Sequence, residues 1–112
     1  MGERQKFVGF ADEVVREAYD KLEHGRTEEK EIRAQIDEAI DDLKEKPQMG
    51  IRVPKTVWSK IYIQKYGITN LRKINLRSGW RLLYTIRGNE IEIMSVLLEW
   101  MAHKEYERRF KY

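Results

Sequence analysis

The stretch Leu71–Ile86, LRKINLRSGWRLLYTI, decides how this chain is read. Its first part sets Leu71, Ile74 and Leu76 against Arg72, Lys73, Asn75 and Arg77, alternating with one slip. Ser78-Gly79 supplies a turn. Trp80, Leu82, Tyr84 and Ile86 then alternate with Arg81, Leu83, Thr85 and Arg87. A period of two puts successive side chains on opposite faces of a strand, and two such runs joined by a Gly-containing turn predict a hairpin. Gly88-Asn89 predicts a second tight turn into EIEIMSVLL (90–98), which is apolar enough for a central strand.

Upstream the period changes. Phe7, Val8 and Phe10 predict a short first strand. From Asp12, the residues Val14, Val15, Ala18, Tyr19 and Leu22 recur at helical spacing, with Asp12 as cap and Gly25 closing the helix in a left-handed conformation. Thr27 is suited to cap a second helix. Glu28 and Glu29 sit where the helix dipole favours acids, Ile32, Ile36, Ala39, Ile40 and Leu43 form its stripe, and Pro47 marks its end. Only Gly25 and Arg26 separate the two helices, so they form an antiparallel hairpin. Pro54 suits the start of a third element, in which Val57, Trp58, Ile61, Tyr62 and Tyr66 are spaced for a short helix ending at Gly67. Their β-branched and aromatic character also permits a strand.

Downstream, helix-forming residues return from Glu99, with Tyr106 and Phe110 four apart on one face. The expected fold class is α+β, in one domain spanning 1–112. An N-terminal helical hairpin packs on a small, mostly antiparallel sheet of three or four strands, followed by a C-terminal helix.

The 112 residues are 41% hydrophobic and 37% charged, enough for one core under a densely charged surface. No apolar run approaches the ~18 residues of a membrane span, and the first ten residues lack the run of a secretory signal. The absence of cysteine excludes disulfides and thiolate chemistry. A cytoplasmic protein without a membrane partner is expected. The net charge of +3 hides a segregation: residues 10–46 carry seven Lys/Arg and thirteen Asp/Glu, whereas 47–112 carry thirteen and five. Residues 47–89 hold nine basic residues and no acid. Such a window either attracts a polyanion or is neutralised by the acidic half within the fold.

Several chemistries find no support. His24 and His103 are far apart in different contexts, so no metal site is expected. No glycine-rich phosphate loop occurs, and Ser59, Ser78 and Ser95 have no nucleophile setting. No cofactor is expected. What remains are cations and proton-transfer groups. Metal-free RNA cleavage needs a base for the ribose 2′-OH, cations for the charged phosphorane and an acid for the leaving 5′-oxygen. Arg81 suits the phosphate, because its planar fork can grip two oxygens. The plain alternative is a solvated strand arginine. Lys73 on the neighbouring strand could approach Arg81 as a second cation. His103 can exchange a proton near neutral pH, and Tyr106 follows one turn on, either beside it or as a core residue with Phe110. Lys104 and Arg109 add charge nearby. Trp58, Tyr62, Tyr66 and Trp80 are suited either to stack bases or to fill the core.

The combination of LRKINLRSGWRLLYTI, the strand IEIMSV (91–96) and a closing His/Lys…Tyr segment resembles the core of the RelE/ParE toxin superfamily. The resemblance covers most of the chain, with 48–70 longer than in compact members. It implies a RelE-like toxin of a toxin-antitoxin system: a ribosome-dependent mRNA endoribonuclease cleaving by metal-free 2′-OH attack, with ribosome and mRNA as targets and a cognate antitoxin as inhibitor. The family's strand arginine falls on Arg81, its catalytic lysine on Lys73 and its C-terminal tyrosine on Tyr106, with His103 where several relatives place a histidine. Arg72, Arg77, Lys104 and Arg109 are the accompanying RNA- or phosphate-binding candidates. The chain departs from RelE at Asn75, where a second lysine stands, and at Glu99, where a basic residue stands. These departures suit a catalytically degenerate module that binds RNA or a partner. A ParE-like inhibitor of DNA gyrase is the third reading.

Overall fold

A computed structural model describes residues 4–58, 60–89 and 92–110. Ser59, Glu90 and Ile91, on which parts of the predicted third element and of the strand predicted at 90–98 fall, lie outside the described residues. The chain runs β1 (Gln5–Phe10), α1 (Glu13–Leu22), α2 (Thr27–Glu45), β2 (Ile51–Arg52), α3 (Lys60–Tyr66), β3 (Arg72–Asn75), β4 (Trp80–Gly88), β5 (Glu92–Ala102) and α4 (His103–Phe110), with single 3-10 turns at Pro47–Met49 and Lys55–Val57.

The fold is α+β with the predicted helical hairpin and C-terminal helix, but the sheet has five strands in the order β1-β5-β4-β3-β2 and is mixed. The extra strand is the two-residue β2, too short to show a period. β1 pairs parallel with β5, from Gln5↔Glu92 to Phe10↔Leu97, while the other three pairs are antiparallel. The β3–β4 hairpin turns where Ser78-Gly79 predicts, with Gly79 at φ +85°, a conformation that costs a residue with a Cβ.

α1 and α2 run antiparallel, since Tyr19 meets Asp37 while Glu23 meets Arg33 further toward the loop. Asp12 caps α1 as expected, its carboxylate accepting the Val15 N–H at 2.9 Å. Three details differ from expectation. Gly25 is not left-handed, because α1 ends earlier, at Leu22, and a further turn of i→i−3 bonds reaches Gly25. Thr27 is the first helical residue of α2, with Arg26 at the cap position and no side-chain cap bond. Of the α1 stripe, Val15 is buried and Tyr19 and Leu22 half-buried, but Val14 and Ala18 face outward because one helix turn presents only one side to the sheet.

The predicted third element is split. Pro54 precedes a 3-10 turn, Trp58 is extended, and the helix proper begins only at Lys60. It ends at Gly67, which is left-handed at φ +58°. The C-terminal helix starts at His103 rather than Glu99, because β5 continues to Ala102. Glu99 and Trp100 remain in the ladder opposite Leu83 and Leu82.

Both faces of the sheet are covered. Ile32, Ile36, Ala39 and Leu43 of α2 pack with Leu76, Leu82, Tyr84 and Leu97 on one face. On the other, Tyr62 of α3 and Tyr106 and Phe110 of α4 pack with Leu71, Leu83, Val96, Leu98 and Met101. Each fully buried aliphatic side chain contributes about 1.5–3 kcal/mol. Pairing passes from Leu83↔Glu99 to Tyr84↔Leu97, so Leu98 is an extra residue in β5. The bulge lets Leu97 and Trp100 share one face and Leu98 and Met101 the other. Strict alternation would forbid this, and the bulge resets the end of β5 that delivers α4.

Candidate functional site

The site is assembled where β3, β4 and the start of α4 meet. Across the β3–β4 ladder, Lys73 is paired with Leu83 and Asn75 with Arg81. Across β4–β5, Arg81 is paired with Met101 and Trp80 with Ala102, which leaves His103 next in line. The β3–β4 turn ties these parts together. The Gly79 carbonyl accepts the His103 N–H at 3.0 Å and an Arg81 guanidinium N–H at 3.2 Å.

Arg81 lies along the strand end, its Nη1 also 3.3 Å from the Trp80 carbonyl and its Nη2 2.7 Å from His103 Nδ1. A guanidinium can only donate, so Nδ1 presents its lone pair and the imidazole proton sits on Nε2. Glu107, one turn along α4, accepts at Nε2. The imidazole is thus held between a cation on one nitrogen and a carboxylate on the other. Arg81 Nε is buried with no hydrogen-bond partner, and Arg81 makes no ion pair among the described residues. A buried N–H of a charged group without an acceptor is costly, and an anion placed there would satisfy it.

Lys73 is half-buried, with its ammonium 4.6 Å from the centre of the Tyr106 ring. Burial, and secondarily the charge of Arg81, lower its pKa from the ordinary lysine value. Tyr106 is 1% exposed and stacked on Phe110 with centroids 4.7 Å apart. Its ring forms the seat of Lys73 from beneath, so it reaches the cluster as a floor.

The structure therefore brings Lys73, Arg81, His103 and Tyr106 together. It does not bring the accompanying cations with them. Arg72 points away from Lys73, as adjacent strand residues must, and donates to the carbonyls of Gly50 (2.7 Å) and Gln48 (3.1 Å). Arg77 pairs with Glu38 of α2 at 2.6 Å. Arg109 bridges Glu99 at 2.6 Å and Glu105 at 3.1 Å. Lys104 is exposed on α4. Asn75 directly faces Arg81 across the ladder, so the departure from the RelE pattern removes a cation from the cluster itself. Glu99 instead holds the fold: Tyr62 O–H donates to it at 2.6 Å while Arg109 grips its other oxygen, fastening α3 and α4 to β5. Burial and the Glu99 charge push the Tyr62 phenol up.

Glu107 stands outside every motif of the sequence, yet its i,i+4 spacing from His103 is a readable signal. Among the described residues no group of three or more His, Cys, Asp or Glu is placed to hold a metal ion, and no helix is long and apolar enough to cross a membrane.

Over residues 5–99 the chain matches the family described as ParE toxin of type II toxin-antitoxin system, parDE. No curated protein and no solved structure matches it.

Proposed function

The chain belongs to the ParE toxin family of type II toxin-antitoxin systems, and from that premise we propose that it cleaves ribosome-bound mRNA through the Lys73–Arg81–His103 cluster. Family membership also implies a cognate antitoxin. The observation that carries the proposal is the Arg81 guanidinium, 2.7 Å from His103 Nδ1 with its own buried Nε unanswered.

In this reading the scissile phosphate takes the place that Arg81 keeps for an acceptor, and the guanidinium leaves His103 to grip two phosphate oxygens. Nδ1, freed and still oriented by Glu107 at Nε2, takes the proton of the ribose 2′-OH. The 2′-oxygen bonds to phosphorus and the bond to the 5′-oxygen breaks, leaving a 2′,3′-cyclic phosphate. Lys73 stabilises the phosphorane and delivers a proton to the departing 5′-oxygen, a task its lowered pKa suits. Tyr106 positions Lys73 through its ring. The basic run 47–89 attracts the anionic ribosome and message.

A reconstituted translation reaction tests this. The wild-type protein halts synthesis and cuts ribosome-bound mRNA, and Arg81→Ala lowers cleavage about 10²–10³-fold, the usual cost of losing one preorganised donor to a transition-state charge. If the wild type leaves the message intact, the nuclease reading fails. The burial of Tyr106 and the ParE family match favour a second reading, inhibition of DNA gyrase. Inhibition of supercoiling by purified gyrase, with no cut mRNA, establishes it instead.

A further inference from the structure

A second basic feature lies apart from that cluster. Between the edge strand β2, the Lys55–Val57 turn and the approach to β3 is a cleft of about 400 Å³. Arg52, Lys55, Trp58 and Arg72 line it. Its size falls within the about 300–1,000 Å³ of small-ligand sites. The cleft wraps the β2–β3 edge, and because Arg72 and Lys73 are consecutive on β3 and project to opposite sides, the Arg72 guanidinium is turned away from the Lys73 cluster.

Three cations converge here, and no acidic side chain lines the cleft among the described residues. The partners of Arg72 are the neutral carbonyls of Gln48 and Gly50, which fix its guanidinium but leave its charge intact. Arg52 and Lys55 are exposed and make no ion pair among the described residues. Elsewhere the arginines that bracket the hairpin are answered, Arg33 by Asp37 and Arg77 by Glu38. The fourth wall is aromatic. Trp58 packs partly against the core and its Nε1–H donates to the Val53 carbonyl at 2.9 Å, so the indole is held in place where it borders the cleft. Cations around a fixed indole match a nucleotide, whose phosphate needs the charges and whose base has a face to stack. An acidic peptide would use the cations and leave the indole idle.

We propose that this cleft docks one nucleotide of a single-stranded RNA, the phosphate on Arg52, Lys55 and Arg72 and the base on Trp58. The choice of RNA rests on the reading above, but the binding itself needs no cleavage. The β2–β3 edge would then carry the strand toward Lys73 on the other side.

Fluorescence anisotropy of the full chain with labelled 2′-O-methyl hexauridine, which has no free 2′-OH to be cut, separates docking from catalysis. Arg52→Gln/Lys55→Gln weakens binding about 10-fold and reduces the slope of log affinity against log salt by about 1.4, about 0.7 for each lost phosphate contact. Trp58→Phe weakens it several-fold with the slope unchanged. Thermal melts of both variants match the wild type, which shows that the loss is not unfolding. Unchanged affinity and slope in the double variant overturn the proposal. Displacement of the oligonucleotide by hexaglutamate, or by inorganic phosphate at matched ionic strength, as effective as by unlabelled hexauridine also overturns it. A chain that binds in this way yet cuts no message leaves the docking site standing and removes only the nuclease reading.

Discussion

Under the α1–α2 hairpin the arginines are paired with carboxylates, while Arg33 Nε and the buried Ser95 hydroxyl, like Arg81 Nε, make no hydrogen bond among the described residues. Arg33 lies 3.8 Å over the Tyr19 ring and 3.5 Å from Asp37, and Arg77 meets Glu38 at 2.6 Å. The Tyr84 hydroxyl, wholly buried, accepts the Gly50 N–H at 2.9 Å and donates to the Pro47 carbonyl at 2.6 Å. On the opposite face beside α4, Arg81 and Lys73 are near enough for one to depress the pKa of the other, and the buried Nε of Arg81 has no partner. What separates the two faces is ionic pairing, since Arg33 and Arg77 meet carboxylates and Arg81 meets none among the described residues.

After Arg81, the contrast is tested most strongly at Lys73. Lys73→Met lowers mRNA cleavage about 10²-fold, the lower end of what a positioned proton donor supplies. Chemical denaturation of the same variant shows stability equal to or above wild type. The sign follows from the lowered pKa: folding disfavours the charged lysine, so the wild type carries that penalty in full below the folded-state pKa and sheds it as pH rises from there to the unfolded-state value. The methionine variant loses this pH dependence. A large drop in stability would mean that Lys73 holds the fold.

Tyr84→Phe probes the α1–α2 face. It strands the Gly50 N–H and the Pro47 carbonyl in a buried site, and urea titration should register a loss of about 1–3 kcal/mol. Cleavage per folded molecule stays at the wild-type level. Gly50 permits this contact, since a Cβ there would lie 2.7 Å from the tyrosine ring.

A smaller effect sharpens the electrostatic side. In Arg81→Gln the lysine keeps its burial and loses the neighbouring positive charge, so its pKa rises toward the ordinary value. Carbon-detected NMR titration of the lysine ε-carbons reads the shift; no movement would show that Arg81 does not act on Lys73. Least of all should follow from Arg77→Ala. That pair is solvent-exposed, with side chains 70% and 57% accessible, and its removal leaves the melting temperature unchanged.

Much of the fold was legible because it is written in local patterns. The α2 stripe Ile32, Ile36, Ala39 and Leu43 is buried as its spacing predicts, and Ser78-Gly79 turns the hairpin where two alternating runs demand it. The opposite directions of Arg72 and Lys73 are likewise implicit in strand alternation. The bulge at Leu98 was not legible, since nothing local distinguishes an extra residue in an unbroken apolar run. Neither was the true start of α4: Glu99 and Trp100 favour a helix by themselves, but the ladder to β4 holds them extended. The two-residue β2 is defined only by its partner β3.

The candidate site divides in the same way. Residue chemistry alone singled out Arg81 as a candidate phosphate ligand and His103 as a candidate proton carrier. That the two touch, 22 positions apart, depends on Gly79 joining the hairpin turn to the head of α4. That Tyr106 is a buried floor for Lys73 depends on how α4 lies against β4 and β5. The reason is physical: periodicity reports which face a side chain takes relative to its own strand or helix. Which charges then meet, and which lose their water, is set by elements packed from distant parts of the chain.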